Sequence, residues 1–444
     1  SLRRLTQQTP PDGIGLALAR DACDTACVRP GTAYVLRTTE RAAGGVAIAT
    51  VEQGFDAYER ETYARQDLPG GRQAYRVQVY DASGRIAQQS IPGPCCAAPA
   101  HWITHRYDLI GRRTSTERPT SQAVPTPIAT NWRYDGLAVT ETDPLGRNTT
   151  RRTDALGQVL QVVDPGLTDT DYEYDAFGNL VTVRDFGGTE TRVTYDVRGF
   201  RRGISDPNAG QWTYDYSPLG ELRSQVNPRG QVTTFTYDKL SRPLTRTEPE
   251  GTTRWTWGAS AASRNVGSLA AVASPGFQES YQYDALGRLA TSTTLIAGAT
   301  LATQRSYDPA SGALDTLTYP AAGGTTPLRV RHHYDRGRLV KLSAADSGST
   351  YWQLAAVDSL GHATDETLGN GVRVVSAYDA VSGGLLSRTA GLGGGGTLQN
   401  LGYAWDAVGN LALREERNRG VQEQFFYDNH DRLDYVTRGG AVSR

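Results

Sequence analysis

Methionine is absent from these 444 residues, lysine occurs only at Lys239 and Lys341, and there are four cysteines. No run of 18 apolar residues exists, so nothing here is expected to cross a membrane as a helix. An excess of one charge is lacking too. Lys and Arg number 46 against 47 Asp and Glu, leaving a formal net charge of −1. That balance excludes the broad basic field of a nucleic-acid binder. With no methionine and Ser1 in first place, the sequence is expected to be an internal piece of a longer protein. Its opening, Ser-Leu-Arg-Arg-Leu, has no apolar core of a signal peptide.

The four cysteines form two tight pairs, Cys23/Cys27 and Cys95/Cys96. An even number suits an exported protein with one or two disulfides, either within a pair or between Cys23 or Cys27 and Cys95 or Cys96. Four reduced thiols are the alternative. Neither pair has the CxxC spacing of a zinc knuckle. His101 and His105 lie near Cys95 and Cys96, but Pro94 and Pro99 deny them a shared helical face, and no metal is expected. No cofactor is expected either: Gly393–Gly396 lacks the Lys-Ser/Thr of a phosphate loop, and Gly-x-Ser-x-Gly and His-Glu-x-x-His are missing.

What is present is glycine (49), proline (21), tyrosine (23) and tryptophan (7), the composition of frequent turns and aromatic strands. The dipeptide Tyr-Asp begins at Tyr80, Tyr107, Tyr134, Tyr174, Tyr195, Tyr214, Tyr237, Tyr283, Tyr307, Tyr334, Tyr378 and Tyr427. Chance would supply roughly one such pair. Phe55-Asp56 and Trp405-Asp406 are aromatic variants. Where it is cleanest the repeat steps by 21 residues, through Thr153, Tyr174, Tyr195, Tyr216 and Tyr237. Four residues on come Gly157, Gly178, Gly199, Gly220 and Ser241. Half a period later come Asp164, Asp185, Asp206, Asn227 and Glu248, mostly before proline.

Each unit thus carries two turn signals. Asp or Asn before Pro starts a turn, because Pro presets φ and the acidic oxygen accepts nearby backbone N–H groups. The glycine of the other turn supplies positive φ. Between turns, aromatics sit at i and i+2, as in Tyr172/Tyr174, Trp212/Tyr214/Tyr216, Phe235/Tyr237 and Tyr281/Tyr283, which puts both rings on one strand face. Only Val51 to Arg65 hints at helical spacing. The chain is expected to be all-β: about forty hairpin-linked strands, wound as one continuous spiral sheet because open sheets of that size curl. A propeller would need about ten blades, outside the usual range. Residues 1–50 carry no clear repeat and are expected as an irregular lead-in holding a cysteine pair, with the repeat array over 51–444.

Tyr283-Asp-Ala-Leu-Gly-Arg-Leu289, Tyr174-Asp-Ala-Phe-Gly-Asn-Leu180, Trp405-Asp-Ala-Val-Gly-Asn-Leu411 and Tyr427-Asp-Asn-His-Asp-Arg-Leu433 resemble the YD repeats of the RHS family. That family includes bacterial Rhs toxins, the C components of Tc complexes, wall-associated toxins and teneurins. The resemblance covers roughly residues 50–440. It implies a hollow cocoon whose bacterial members enclose a toxic C-terminal polypeptide, and an exported bacterial protein whose partners are that polypeptide and a delivery machinery. The family's self-cleaving core has no counterpart before Arg444, so no protease residues carry over.

The structural repeat residues are taken as Tyr174, Asp175, Gly178, Tyr195, Asp196, Gly199, Tyr237, Asp238, Tyr283, Asp284, Gly287, Tyr334, Asp335, Tyr378, Asp379, Tyr427 and Asp428. Acids spread along an array do not make the paired carboxylates of a glycosidase cleft, so no catalysis is expected. Rings at i, i+2 are cross-strand ladders first; sugar stacking is their other use. A teneurin-like adhesive shell, binding a receptor or glycan, is the competing function.

Overall fold

The computed structural model of the chain describes residues 7–8, 15–22, 29–42, 45–121, 126–166, 168–321, 325–393 and 395–443. They form 39 strands of one sheet in which every pairing is antiparallel. Almost every strand pairs with the next in sequence. The exception is a short detour, where Gly93–Pro94 returns to Arg72–Tyr80 and Ile86–Ser90 pairs with Trp102–Tyr107. Among the described residues, the only helical element is a single 3-10 turn, Pro69–Gly71.

The 21-residue period is visible as two strands of five to seven residues. Glu190–Tyr195 and Arg201–Asp206 flank a turn at Gly199, and Asp206 opens the next turn into Gly210–Tyr216. Turns also fall at Gly157, Asp164, Gly178 and Asp185, where the two kinds of turn signal stand. The hint of a helix over Val51 to Arg65 is overturned. Asp56 accepts the N–H groups of Tyr58 and Arg60, closing a hairpin between Ala47–Phe55 and Glu61–Leu68. Nor does the sheet break near residue 50: Gly15–Ala22 pairs with Tyr34–Arg41, which pairs with Ala47–Phe55. Cys23 and Cys27 lie outside the described residues.

A single sheet has no second layer to bury its faces, and the surface shows it. The chain exposes 26008 Å², whereas a compact protein of 48.0 kDa exposes only about 16,000 Å². Buried apolar side chains gather into only small clusters, Tyr63/Tyr75/Val77, Leu68/Leu354/Val357 and Val372/Val374/Ala390.

The second of these joins residues almost 290 positions apart, because the sheet winds back onto itself. Arg147 meets Asp431, and between their two turns lie 25 strands, from Asn148–Thr153 to Val421–Tyr427. Strands about 4.8 Å apart make that winding roughly 120 Å around and about 38 Å across at the backbone. The 39 strands complete about one and a half windings.

Candidate functional site: the hairpin rims and the seam

Alternate turns point to opposite edges of the wound sheet, so the Tyr-Asp turns form one rim and the Asp-Pro turns the other. On the Tyr-Asp rim one geometry recurs. Asp284 Oδ1 accepts the N–H groups of Leu286 and Arg288, both at 2.9 Å, while Oδ2 accepts Nε of Arg288 at 2.8 Å. Gly287, at φ 75°, donates its N–H to the Asp284 carbonyl. Asp175, Asp196, Asp238 and Asp428 hold their turns in the same way, with Gly178 and Gly199 at φ 87° and 83°. Ser241 takes the glycine position at φ 58°. Asp379 caps a turn one residue longer, through Val381 and Ser382, and is buried.

These bonds favour the ionised carboxyl. The side chain of Arg242, then the backbone N–H groups of the turn, hold Asp238 below the usual carboxylate range. For Asp428, burial alone would raise the pKa. The N–H of His430 and the guanidinium and N–H of Arg432 outweigh it and bring the value to about 2.

At most of these turns the aromatic reaches back to the preceding unit. The hydroxyl of Tyr283 donates to the carbonyl of Leu269 at 2.6 Å, Tyr195 to Leu180, Tyr237 to Leu222, and Tyr427 to Leu411. Trp257 and Trp405 make the same bond with their indole N–H, to Pro243 and Leu385. The residue four after the Asp completes a chain along the rim. Arg288 stacks over Tyr307 at 4.2 Å, Arg85 over Tyr107, Arg112 over Tyr134 and Arg242 over Trp257, and the imidazole of His362 stacks on Tyr378. Sequence reasoning missed this arginine's role, although it stands at a fixed place in Tyr-Asp-Ala-Leu-Gly-Arg. Rings whose polar tips are used within the wall act as ladder elements, and the repeated acids act as turn caps.

Three Tyr-Asp pairs depart from the pattern. At Tyr134-Asp135 the strands run on to a two-residue loop, Gly136 and Leu137. Asp215 lies within a strand, paired with Arg202 at 2.7 Å, and Ser217 Oγ accepts the turn N–H groups instead. At Tyr334-Asp335 the loop shrinks to Arg336 and Gly337, both at positive φ, leaving no turn N–H groups for a cap. The expected turn cap is therefore corrected. Asp335 Oδ2 accepts the N–H of Gly70, 265 residues away.

That bond belongs to a seam where the Asp-Pro rim of the first winding meets the Tyr-Asp rim of the second. Arg336 pairs with Asp67 at 2.9 Å, and Arg72 donates to the Val357 carbonyl at 2.6 Å. Arg118 donates to the carbonyl of Ala407, and Arg147 binds Asp431 with two nitrogens at 2.9 and 3.0 Å. Asp431 first, then Asp143, raises the pKa of Arg147. No local sequence signal marks these partners.

Beside the seam lies a cavity of about 870 Å³, lined by Leu68, Arg72, Tyr75, the 91–101 loop, Val357–Leu360 and Tyr378. Cys95 and Cys96 are bonded to each other in that loop, and Cys95 packs against Tyr63, Tyr75 and Val77. His105 Nδ1 is 3.0 Å from the Thr116 hydroxyl, while His101 lines the cavity. The buried acid Glu52 accepts the Tyr63 hydroxyl and the guanidiniums of Arg37 and Arg65, a hub for the first strands. No helix of the described residues is long and apolar enough to cross a membrane.

The chain forms a wound, single-layer wall of antiparallel hairpins, and comparisons with known proteins find the same architecture. The family described as RHS repeat matches residues 154–190, 174–211 and 216–253. The fold is similar to that of TcdB2-TccC3-TEV, with a TM-score of 0.77 at 16% identity over 94% of this chain and 25% of that one. It is also similar to TcdB2-TccC3 without its hypervariable C-terminal region, at 0.74 and 16% over 95% and 24%. A third is the Photorhabdus luminescens Tc holotoxin pore with a TccC3 variant, at 0.71 and 16% over 95% and 24%. No curated protein matches significantly. The chain spans about a quarter of the length of these structural relatives. Residues 154–211 and 216–253 thus match RHS repeats, and the fold over nearly the whole chain is similar to that of the TcdB2-TccC3 structures.

Proposed function

We propose that this chain is a wall segment of a non-catalytic RHS-repeat shell, which encloses a toxic C-terminal polypeptide of the same exported bacterial protein and helps to deliver it. The winding carries this reading. Twenty-five strands per turn, less about 5 Å of side chain on each side, leave a lumen roughly 28 Å wide, close to the diameter of a small domain. The wall's acids and aromatics are engaged in turns and latches, which supports a scaffold rather than an enzyme. One of the similar structures is named for lacking a hypervariable C-terminal region, which suits interchangeable contents.

The test compares the complete polypeptide with a version lacking residues 50–440. The expected result is a downstream domain that resists protease and spares its host only when the repeats are present. Equal protease sensitivity and equal harmlessness without the repeats would overturn the proposal.

A further inference from the structure

Loop 91–101 belongs to the Asp-Pro rim of the first winding and lies in the seam, where both of the rims that meet are part of this chain. On one side it is tied to Arg72–Tyr80. Gly93 and Pro94 pair with Tyr75 and Ala74, and the N–H of Cys95 donates to the Gln73 carbonyl at 3.0 Å. On the other side it shares the cavity of about 870 Å³ with Val357, Asp358 and Leu360 at one turn of the second winding, and with Tyr378 and Ala380 at the next. The loop is thus a wedge between windings, and what holds its shape also holds the seam.

Its base is closed by the N–H of Ile91, which donates to the His101 carbonyl at 3.1 Å. At its middle, Cys95 and Cys96 are joined by a disulfide. The two sulfurs differ in setting. Cys95 is half-buried against Tyr63, Tyr75 and Val77 and lines the cavity, whereas Cys96 is exposed. An attacking thiolate needs one accessible sulfur, and Cys96 supplies it while Cys95 anchors the loop in packing.

We infer that the Cys95–Cys96 disulfide is a reducible clasp on the seam, closed in an oxidising medium and opened by small thiols of the glutathione class. The inference rests on the exported protein proposed above, because disulfides persist in oxidising compartments and are reduced in the cytosol. A glutathione thiolate attacks Cys96 Sγ and bonds to it. The Sγ–Sγ bond breaks, and Cys95 leaves as a thiolate that takes a proton from water. A second glutathione thiolate attacks the glutathione sulfur of the mixed disulfide, and oxidised glutathione departs. Cys96 is released as a thiolate and is protonated in turn. Two electrons pass from two thiols to the disulfide. Opening the ring returns conformational freedom to both residues, so the loop leaves the cavity more often and the two facing turns lose their neighbour.

Thiol alkylation with mass analysis, followed by amide hydrogen exchange, tests the clasp on the complete polypeptide, air-oxidised and purified without reductant. Cys95 and Cys96 are expected to escape alkylation until millimolar glutathione is added, and then to react together. On reduction, exchange across residues 91–101 and the turns at 358–362 and 379–384 should quicken roughly tenfold, with the hairpins between Leu180 and Asp206 unchanged. A C95A/C96A variant should exchange at the reduced rate from the start and ignore glutathione at these places, which separates this disulfide from any at Cys23 and Cys27. If the double substitution unfolds the chain, C96A alone serves, read in the same way. Alkylation of both cysteines before any thiol is added would overturn the inference, as would a bond from either to Cys23 or Cys27. So would a disulfide that survives glutathione, or a reduction that leaves the exchange of the loop and turns as it was. None of these results reads protease protection of the downstream domain, so the clasp and the enclosure can fail separately.

Discussion

Arg147 and Asp431 are 284 positions apart in the chain, yet two guanidinium nitrogens of one meet the carboxylate oxygens of the other at 2.9 and 3.0 Å. Their contact shows that the sheet is wound rather than rolled flat. It also fixes the pitch, since the same guanidinium holds Asp143 of its own turn. The Arg147 side chain is only 15% exposed, so water competes less there than at an open ion pair.

Replacing Arg147 with alanine should therefore loosen the second winding rather than unfold the array. Charge-assisted bonds of this kind are worth about 1.5–3 kcal/mol each at most, and the loss should fall on the turn at 428–432 and on Arg147's own turn at 143–147. Amide hydrogen exchange in those two turns is expected to quicken at least tenfold, with the hairpins between Leu180 and Asp206 unchanged. Uniform quickening along the chain would count against a local seam.

The tyrosine latch offers a smaller, cleaner change. Tyr283→Phe keeps the ring and removes only the hydroxyl that donates to Leu269. About 1 kcal/mol of local stability should be lost, seen as faster exchange in the hairpins flanking Tyr283. If the phenylalanine variant matched wild type there, the hydroxyl would not be holding neighbouring units together.

The same dipeptide should respond differently at two positions. Asp284→Ala removes two backbone caps and the hold on Arg288, and should destabilise its turn by about 1 kcal/mol or more. Asp215→Ala removes an exposed strand pair with Arg202 and should leave exchange near its site as in wild type. Similar effects at both positions would contradict the division between turn caps and strand residues.

Acid should act through the rim. Asp81, Asp175, Asp238, Asp284 and Asp428 all have pKa values lowered in the folded state. A lowered carboxylate contributes stability that is complete above its unfolded value and disappears as pH falls through its folded one. For Asp428 that window runs from 3.8 down to about 2. An acid titration followed by circular dichroism should show β structure kept at pH 5 and lost across that window. In the Asp428→Asn variant, protection of the last Tyr-Asp turn, measured against the unfolded exchange rate at each pH, should no longer fall across that window. Loss of structure already complete at pH 5 would contradict the argument.

Much of this architecture was legible because its causes are local. A turn needs a cap and a positive φ within five residues, so Asp175 and Gly178 announce it wherever they recur. The alternation of Trp212, Tyr214 and Tyr216 is equally local. Other features are set by the whole wall. The number of strands per winding follows from twist accumulated over 25 strands, and the partners it brings together, Arg147 with Asp431 or Gly70 with Asp335, share no motif. Tyr334-Asp335 looked like its siblings, but a loop shortened to two residues turned its carboxylate into a seam contact. Val51 to Arg65 misled because its apolar spacing suits a helix until Asp56 caps a turn in its middle.

Enclosure is the central claim, and electron cryomicroscopy of the complete polypeptide tests it most directly. The expected map has density for the downstream polypeptide within the wound wall, inside windings of about 25 strands. An empty lumen, with the downstream domain tethered outside the wall, would contradict it.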